Sequence, residues 1–237
     1  MASGGPEFDE TVRDAVEAGF LGSLPVEAAR LLLDEAVRID IPASSVIYRD
    51  EENPRSIVVL TGLLRVFMRA PDGRQVTVRY ARPGDIFGLA LMIGGPAPLS
   101  IQAVTDASFA TLRVDTLRRL LRDNIEVARA IAAELTNQLY EALDEVADNA
   151  FLTVRQRIGR HLLDLATERQ EGARLIARIS QQELADAVAS VRTVVSRELQ
   201  EMRREGLIET SREGIVVLDP ARLDAGNRLA STGREPH

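Results

Sequence analysis

A short segment beginning near residue 192 carries side chains whose types and spacing suit the reading of a nucleic acid. Arg192, Thr193, Ser196 and Arg197 recur at helical spacing, so they share one face of a helix predicted to start near Val191. An Arg guanidinium can bind a guanine edge with two hydrogen bonds, and hydroxyl groups suit phosphates or bases. This segment therefore predicts a helix that lies in the major groove of DNA.

The flanking residues predict the elements that hold this helix. Its buried side is predicted to carry Val191, Val194, Val195, Leu199 and Met202. Ser180 and Glu183 have the spacing of a capping box and predict the start of a preceding helix. The buried side of that preceding helix is predicted to consist of Leu184, Ala185 and Val188. By itself this pattern also fits an ordinary helical hairpin with a solvated polar face.

The residues after the second helix favour a DNA-binding unit over that alternative. Residues 206–210 and 212–218 predict two strands around a turn at Ser211–Gly214. A helix-turn-helix followed by a hairpin forms a winged helix. The full set of side chains predicted to contact DNA is Ser180, Gln181, Gln182, Arg192, Thr193, Ser196, Arg197 and Arg212.

Composition excludes several classes of function. The 237 residues include no Cys, which excludes disulfides, cysteine nucleophiles and thiolate-bound zinc or iron–sulfur sites. The only His residues, His161 and His237, are too few for a His-rich metal site, and we expect His161 to be structural or exposed. No paired carboxylates occur in a recognisable motif, so we expect neither an enzyme nor a bound metal or cofactor.

The chain shows no sign of a membrane segment or a secretion signal. Its N-terminus is acidic, and no apolar run approaches the roughly 18–20 residues of a spanning helix, which predicts a soluble cytoplasmic protein. The net charge of −7 is unevenly distributed. Residues 1–150 carry 15 Arg against 23 Asp and Glu, whereas residues 151–237 carry 14 Arg against 13. The acidity therefore belongs to the first part of the chain and not to the predicted DNA-binding unit.

The residue pattern of the first half of the chain is typical of a small β domain. Residues 9–20 and 25–37 predict two short helices. The predicted strands are Ile39–Ile41, Val46–Tyr48, Ser56–Leu60, Leu63–Arg69, Gln75–Tyr80, Ile101–Val104 and Phe109–Val114. Ala70–Arg74 contains the Pro-Asp-Gly sequence of a hairpin turn. Many short antiparallel strands at this spacing predict a sandwich or jelly-roll barrel.

Residues 115–149 predict a helical segment with a heptad seam. The seam consists of Ala128, Ala132, Leu135, Leu139, Ala142 and Val146. We expect it to pair with the same helix of a second subunit; packing on its own β domain is the alternative. A helix over residues 154–165 and a polar link around Glu171-Gly172 lead into the helix-turn-helix. The chain is thus predicted to be α+β, with a β-roll at 1–114, a dimerisation helix at 115–149 and a winged helix at 150–237.

Four strings carry a resemblance to a known family. They are Val58–Val66 (VVLTGLLRV), Pro83–Gly88 (PGDIFG), Arg157–Leu165 (RIGRHLLDL) and Ser180–Asp186 (SQQELAD). With the order β-roll, long helix, winged helix, the chain resembles the CRP/FNR family of bacterial transcription regulators over roughly residues 20–220. The resemblance implies a homodimer that binds a palindromic operator in double-stranded DNA, engages RNA polymerase and senses a small effector in its cyclic-nucleotide-binding-like domain.

The implied effector pocket differs from that of cyclic-AMP-responsive members. Its residues here are Gly88, Leu89, Leu99, Ser100, Leu139, Ala142 and Leu143. Leu89 stands where those members have a ribose-binding Glu, Leu99 where they have a phosphate-binding Arg, and Ala142-Leu143 where they have a Thr-Ser pair. Burying a phosphate without a cation is costly. We therefore expect no response to cyclic AMP, and either an apolar or weakly polar effector or none.

The predicted recognition helix also departs from the family pattern. Arg192 and Arg197 match it, but Thr193 stands where many members have Glu. A Glu can accept a hydrogen bond from cytosine, whereas the Thr methyl group favours thymine, so we expect a different operator base. A cyclic-nucleotide-binding module that acts on protein partners is the alternative function, and the winged helix argues against it.

Overall fold

Short strands in the first part of the chain fold into two sheets of a β-roll. The computed structural model describes residues 10–48, 56–73, 75–95, 98–168, 175–211 and 214–225. The strands of the roll are β1 (Val37–Ile41), β2 (Val46–Tyr48), β3 (Ser56–Thr61), β4 (Leu64–Arg69), β5 (Gln75–Ala81), β6 (Ile86–Phe87), β7 (Ser100–Ala103) and β8 (Ala107–Leu112). The sheet orders are β1-β8-β3-β6 and β2-β7-β4-β5. The predicted jelly-roll architecture is confirmed.

Two apolar cores lie on opposite faces of β3. Every residue from Ser56 to Leu60 is therefore buried. Ile57 and Val59 belong to the core between the sheets, which also contains Leu64 and Val66 of β4. Val58 and Leu60 belong to a second core, which we call the helical core because helices cover it. A strand buried on both faces is a continuous apolar run, as this one is.

The turns and edges of the roll match the sequence prediction with small exceptions. Gly73 N donates to Ala70 O over 2.9 Å, which closes the predicted hairpin turn. Strand β8 begins two residues earlier than predicted, at Ala107. Strand β6 was not predicted; only Ile86 and Phe87 form it, paired with β3, and two residues are too few for a periodic signal.

The helices that cover the helical core come from several parts of the chain. They are α1 (Glu10–Ala18), α2 (Val26–Asp34), α3 (Leu89–Gly94), α4 (Val114–Asp123) and α5 (Ile125–Phe151), with a 3-10 turn at Phe20–Ser23. The continuous helical segment predicted over 115–149 is wrong in one respect, because Asn124 breaks it. Asn124 is extended, and its Oδ1 accepts from the backbone N of Glu126 (3.0 Å) and Val127 (3.3 Å). This side chain therefore caps α5.

The second part of the chain forms a winged helix with more strands than predicted. Its elements are α6 (Val154–Leu165), β9 (Ala166–Glu168), β10 (Leu175–Ala177), α7 (Gln181–Ala187), α8 (Arg192–Arg204), β11 (Ile208–Thr210), β12 (Ile215–Val217) and α9 (Pro220–Ala225). The sheet order is β11-β12-β10-β9. Strands β9 and β10 flank the predicted polar link, whose residues Glu171 and Gly172 lie outside the described residues. Strands β9 and β10 and the short helix α9 were not predicted.

The chain divides into two compact units, residues 1–69 with 78–142 and residues 70–77 with 143–237. The boundary at 142 falls inside α5, so this helix contributes to both units. The domain limits predicted at 114 and 149 stay predictions. Within the part of the chain that the structure describes, no helix combines the length and apolar character needed to cross a membrane.

Gly214 offers a sharp test of how the wing packs. Its φ is +141°, and a Cβ there would lie 2.4 Å from Ala177 O on β10. Gly206 also has a positive φ, of +73°, but has open space around its Cβ position. We expect Gly206→Ala to cost about 1 kcal/mol of unfolding free energy and Gly214→Ala about 3 kcal/mol, since a steric clash adds to the backbone strain. Urea denaturation measures both, and equal losses would contradict this packing.

Candidate nucleic-acid interface and sensor site

Helix α8 has a buried side and an exposed polar face, as predicted. Val195, Leu199 and Met202 are buried. The prediction was wrong for Val191, which is 60% exposed. Val191 is the extended N-cap residue of α8, so it precedes the first helical turn and does not share the helix periodicity.

The polar face of α8 carries the side chains predicted to read DNA. Arg192, Thr193 and Arg197 are exposed, and Ser196 is half-buried. Arg197 Nη2 donates to Glu198 Oε1 over 3.1 Å. Glu198 is only 13% exposed in its side chain, so the ion pair gives this acid on the mostly apolar side a partner. The two Arg residues lie five positions apart on one solvent-facing surface.

Helix α7 is fixed at its start by the predicted capping box. Glu183 N donates to Ser180 Oγ over 3.2 Å, and Ser180 N donates to Glu183 Oε2 over 2.9 Å. Ser180, Gln181 and Gln182 are all exposed, although Gln182 also donates to Asp186 Oδ1. The eighth predicted contact, Arg212, lies outside the described residues.

The turn between α7 and α8 depends on one residue with a left-handed backbone. Ala189 has φ of +51°, which is uncommon for a residue with a side chain. Ser190 N donates to Ala185 O over 2.9 Å and closes the turn. The predicted buried side of α7, formed by Leu184, Ala185 and Val188, is confirmed. The two helices are therefore held by a tight turn and by their apolar sides.

The residues of the implied effector pocket do not all face the same core. Gly88 has φ of +85° and links β6 to α3. Leu89, the first residue of α3, is fully buried in the helical core. Leu99 is half-buried and packs on the core between the sheets, and the next residue, Ser100, is buried in β7 opposite Phe67 of β4. A Glu at position 89 in this conformation would place a carboxylate among apolar side chains.

A cation that the sequence analysis missed lies where the roll meets α5. The Arg79 guanidinium lies 4.6 Å from the centroid of the Phe87 ring and donates to Ile86 O over 3.1 Å. Its Nη1 donates to Glu141 Oε2 of α5 over 3.0 Å, and its side chain is 13% exposed. Gln138 Nε2 also donates to Ile86 O, over 3.1 Å. These contacts fasten α5 to β6, next to Gly88.

Arg79 shows that the β-roll is less apolar than the substitutions at Leu89 and Leu99 suggest. A single Arg in a strand of alternating pattern gives no sign that it will be largely buried. Arg65 of β4 is a second such case: it is buried, and its guanidinium lies 4.8 Å from the Phe67 ring. Arg79 is already engaged by Glu141, so a ligand phosphate would have to compete with that carboxylate for the charge of the guanidinium.

The heptad seam is divided between covered and exposed positions. Leu139 and Val146 are 56% and 65% exposed. Leu143, predicted in the effector pocket, is 53% exposed. Leu135 packs against the helical core, and Ala142 is half-buried. The C-terminal half of α5 thus presents a row of exposed apolar side chains within the single chain.

Metal binding finds no support in the described ranges, where no group of three or more His, Asp or Glu side chains is arranged to hold an ion. His161 is buried in α6, so the exposed position allowed for it by the sequence analysis is wrong.

Comparisons with known proteins agree with this arrangement of elements. The cyclic nucleotide-binding domain model matches residues 38–124, and the Crp-like helix-turn-helix domain model matches residues 156–225. Transcriptional regulator LdrP of Thermus thermophilus is 35% identical over 190 residues, covering 77% of this chain and 94% of that protein. A CRP-like cAMP-activated global transcriptional regulator of Mycobacterium tuberculosis is 26% identical over 212 residues, covering 87% and 95% respectively.

A solved structure is also similar to this chain, in both sequence and fold. A CRP-family transcriptional regulator from Thermus thermophilus is 30% identical, with a TM-score of 0.68, and the match covers 80% of this chain and 96% of that one. The matches extend over both the roll and the winged helix.

Proposed function

Because this chain belongs to the CRP/FNR family of transcription regulators, we propose that it acts as a cytoplasmic homodimer that binds a palindromic operator and engages RNA polymerase. It is a DNA-binding regulator and, in this proposal, not an enzyme. The observation that carries the proposal is the polar face of α8, where Arg192 and Arg197 are exposed above the buried Val195 and Leu199. Such a helix can enter the major groove without exposing apolar side chains.

The chemistry of that face also bears on which bases are read. Arg192 and Arg197 suit guanine edges or phosphates, and the hydroxyl of Ser196 suits either. Thr193 is exposed and offers a methyl group to thymine where a Glu would accept from cytosine. We propose that the operator differs at that base from the one bound by family members with Glu there.

Dimerisation follows from the exposed row on α5. Leu139, Leu143 and Val146 would remain in water in a single chain. Each buried large aliphatic side chain contributes about 1.5–3 kcal/mol, so pairing two copies of α5 would stabilise both. A parallel pairing would also place two winged helices beside each other, as a palindromic site requires.

The proposed effector is not cyclic AMP, although the relative from Mycobacterium tuberculosis is described as cAMP-activated. Leu99 is apolar and packs on the core between the sheets, so it offers a phosphate no charge. Leu89 is fully buried in the helical core, so its side chain offers a ribose hydroxyl no acceptor. An effector, where one acts, is proposed to be apolar or weakly polar.

The test of DNA recognition uses a duplex selected from a random pool by the parent protein. We expect Arg192→Ala and Arg197→Ala each to weaken specific binding by about 1–3 kcal/mol if they make bidentate base contacts. Arg203→Ala, an exposed Arg in the last turn of the same helix, is the matched control and should bind within about twofold of the parent. Fluorescence anisotropy measures all three. Parent-like binding by the double Ala variant would contradict the assignment.

The test of assembly is a single substitution in the exposed row. Leu139→Asp would bury a carboxylate in a paired seam, so we expect it to yield monomers. Leu139 is exposed in the single chain, so the fold itself should tolerate the change, and circular dichroism checks this. Sedimentation should give twice the chain mass of 26.0 kDa for the parent and the chain mass for the variant. A monomeric parent would refute the dimer.

The test of the effector is calorimetry with cyclic AMP and the parent protein. We expect no heat of binding and no change in DNA affinity, because the cation that would balance the phosphate is absent at position 99 and Arg79 is held by Glu141. A dissociation constant in the low micromolar range, about −8 kcal/mol, would contradict this expectation. Repeating the titration with Glu141→Gln, which frees Arg79, shows whether that ion pair blocks the phosphate.

A further inference from the structure

A cluster of charged side chains joins the end of α5 to α6. Asp148, near the end of α5, is buried and forms an ion pair with Arg160 of α6. Arg157 lies one turn before Arg160 on α6, and its Nη1 donates to Asn149 Oδ1 over 3.0 Å. Asn149 Nδ2 in turn donates to Glu145 Oε1 over 3.1 Å. We call these five residues, Glu145, Asp148, Asn149, Arg157 and Arg160, the corner cluster.

The corner cluster lies where the chain turns from one helix into the next. Only Leu152 and Thr153 separate α5 from α6. Leu152 is buried, and Thr153 caps α6 through a capping box with Gln156. All of these residues belong to the unit that contains the winged helix. The cluster therefore contributes to the angle at which α6 leaves α5.

Acids outnumber cations around this corner. Besides Glu145 and Asp148, Asp144 of α5 and Asp164 of α6 act on the cluster, whereas Arg157 and Arg160 are the cations. Burial raises the pKa of Glu145 from its usual 4.5 to about 7, and the nearby Asp148 and Asp164 add to the rise, while Arg160 and the hydrogen bond from Asn149 oppose it. Burial also raises the pKa of Asp148. The Glu145 carboxyl therefore holds a proton at pH values below about 7 and loses it above.

We propose that the corner cluster is a proton-sensitive joint, in which a proton on Glu145 secures the attachment of α6 to α5 and its loss loosens that attachment. Without the proton, the corner holds another partly buried negative charge that Arg160 must share with Asp148. This inference rests on the proposed function, because a dimer bound to a palindrome needs its two recognition helices at a fixed separation. When the corner is looser, holding the two recognition helices at that separation costs more free energy, and operator binding is weaker.

The sign of the effect follows from linkage. The pKa of Glu145 is higher in the folded joint than in an opened or unfolded one, so the closed joint binds the proton more tightly. The stabilisation is full at pH values below 4.5 and is lost as the pH rises through about 7. Between about pH 6 and pH 8 the ratio of closed to open joint should fall roughly tenfold.

His161 is another group near the corner whose residue type can titrate close to neutral pH. It is buried on α6, one residue after Arg160. The experiment must therefore separate the two residues, and His161→Gln serves that purpose.

The first experiment measures operator affinity of the full-length protein at about pH 6, 7 and 8 and constant ionic strength, with the selected duplex. We expect the parent to lose affinity across this range, by up to about tenfold when the open joint predominates at the highest pH. Glu145→Gln, which mimics the protonated side chain, should keep the affinity seen at the lowest pH. Glu126→Gln removes an exposed carboxylate from the first turn of α5, and it should respond to pH like the parent.

The second experiment tests the joint in the absence of DNA, through the stability of the protein. Urea denaturation of the parent should give an unfolding free energy that falls between about pH 5 and pH 8, and Glu145→Gln should reduce this fall. A parent-like pH response in Glu145→Gln in both experiments, or loss of the response in His161→Gln, would overturn the proposal. A parent that binds no duplex at any pH would refute the proposed function, while the denaturation result would still decide for or against the joint.

Discussion

Helix α5 carries apolar side chains on two of its sides, and the described part of the chain covers only one of them. Val127 and Ile131 are buried in the helical core of their own chain. Leu139, Leu143 and Val146 point elsewhere and are more than half exposed. Apolar rows of this length are costly to leave in water. The proposed dimer follows from this constraint, and so does the need for a second winged helix on the same operator.

The polar contacts of α5 are concentrated at the two places where the helix must not shift. Arg79 and Gln138 fasten it to Ile86 of the β-roll. Near its other end, Asp148 and Asn149 fasten it to α6. Between these attachments the helix offers mainly the exposed apolar row. A signal that changed the attachment to α6 would act close to the winged helix, which is how the proposed joint would affect DNA binding.

Much of the architecture was predictable because its signals are periodic. The run from Ser56 to Leu60 indicated a strand, and the capping box at Ser180 and Glu183 located α7. The spacing of Val195, Leu199 and Met202 located the buried side of α8. Strands β6 and β9 were missed because no period can be read from two or three positions, whereas the equally short β11 and β12 were indicated by the turn sequence between them. Asn124 broke a predicted helix because its side chain caps the next one, a local contact that outweighs the continuous pattern around it.

The candidate sites were predictable only in part. Side-chain type and helical spacing were enough to place Arg192 and Arg197 on an exposed face. The position of Leu89 in the helical core and the attachment of Arg79 to Glu141 depend on contacts between residues far apart in the chain. Periodicity carries no information about such contacts. The corner cluster is similar, since the charge balance around Glu145 arises only when α5 and α6 meet.

The central claim, that two copies of this chain read one palindromic operator, is tested most directly by the DNA that the protein itself selects. Random duplexes enriched over successive rounds with the full-length protein should converge on an inverted repeat whose half-sites lie about 10–10.5 base pairs apart or a multiple of that distance. Enrichment of a single, unrepeated half-site, or no enrichment at all, would contradict the account.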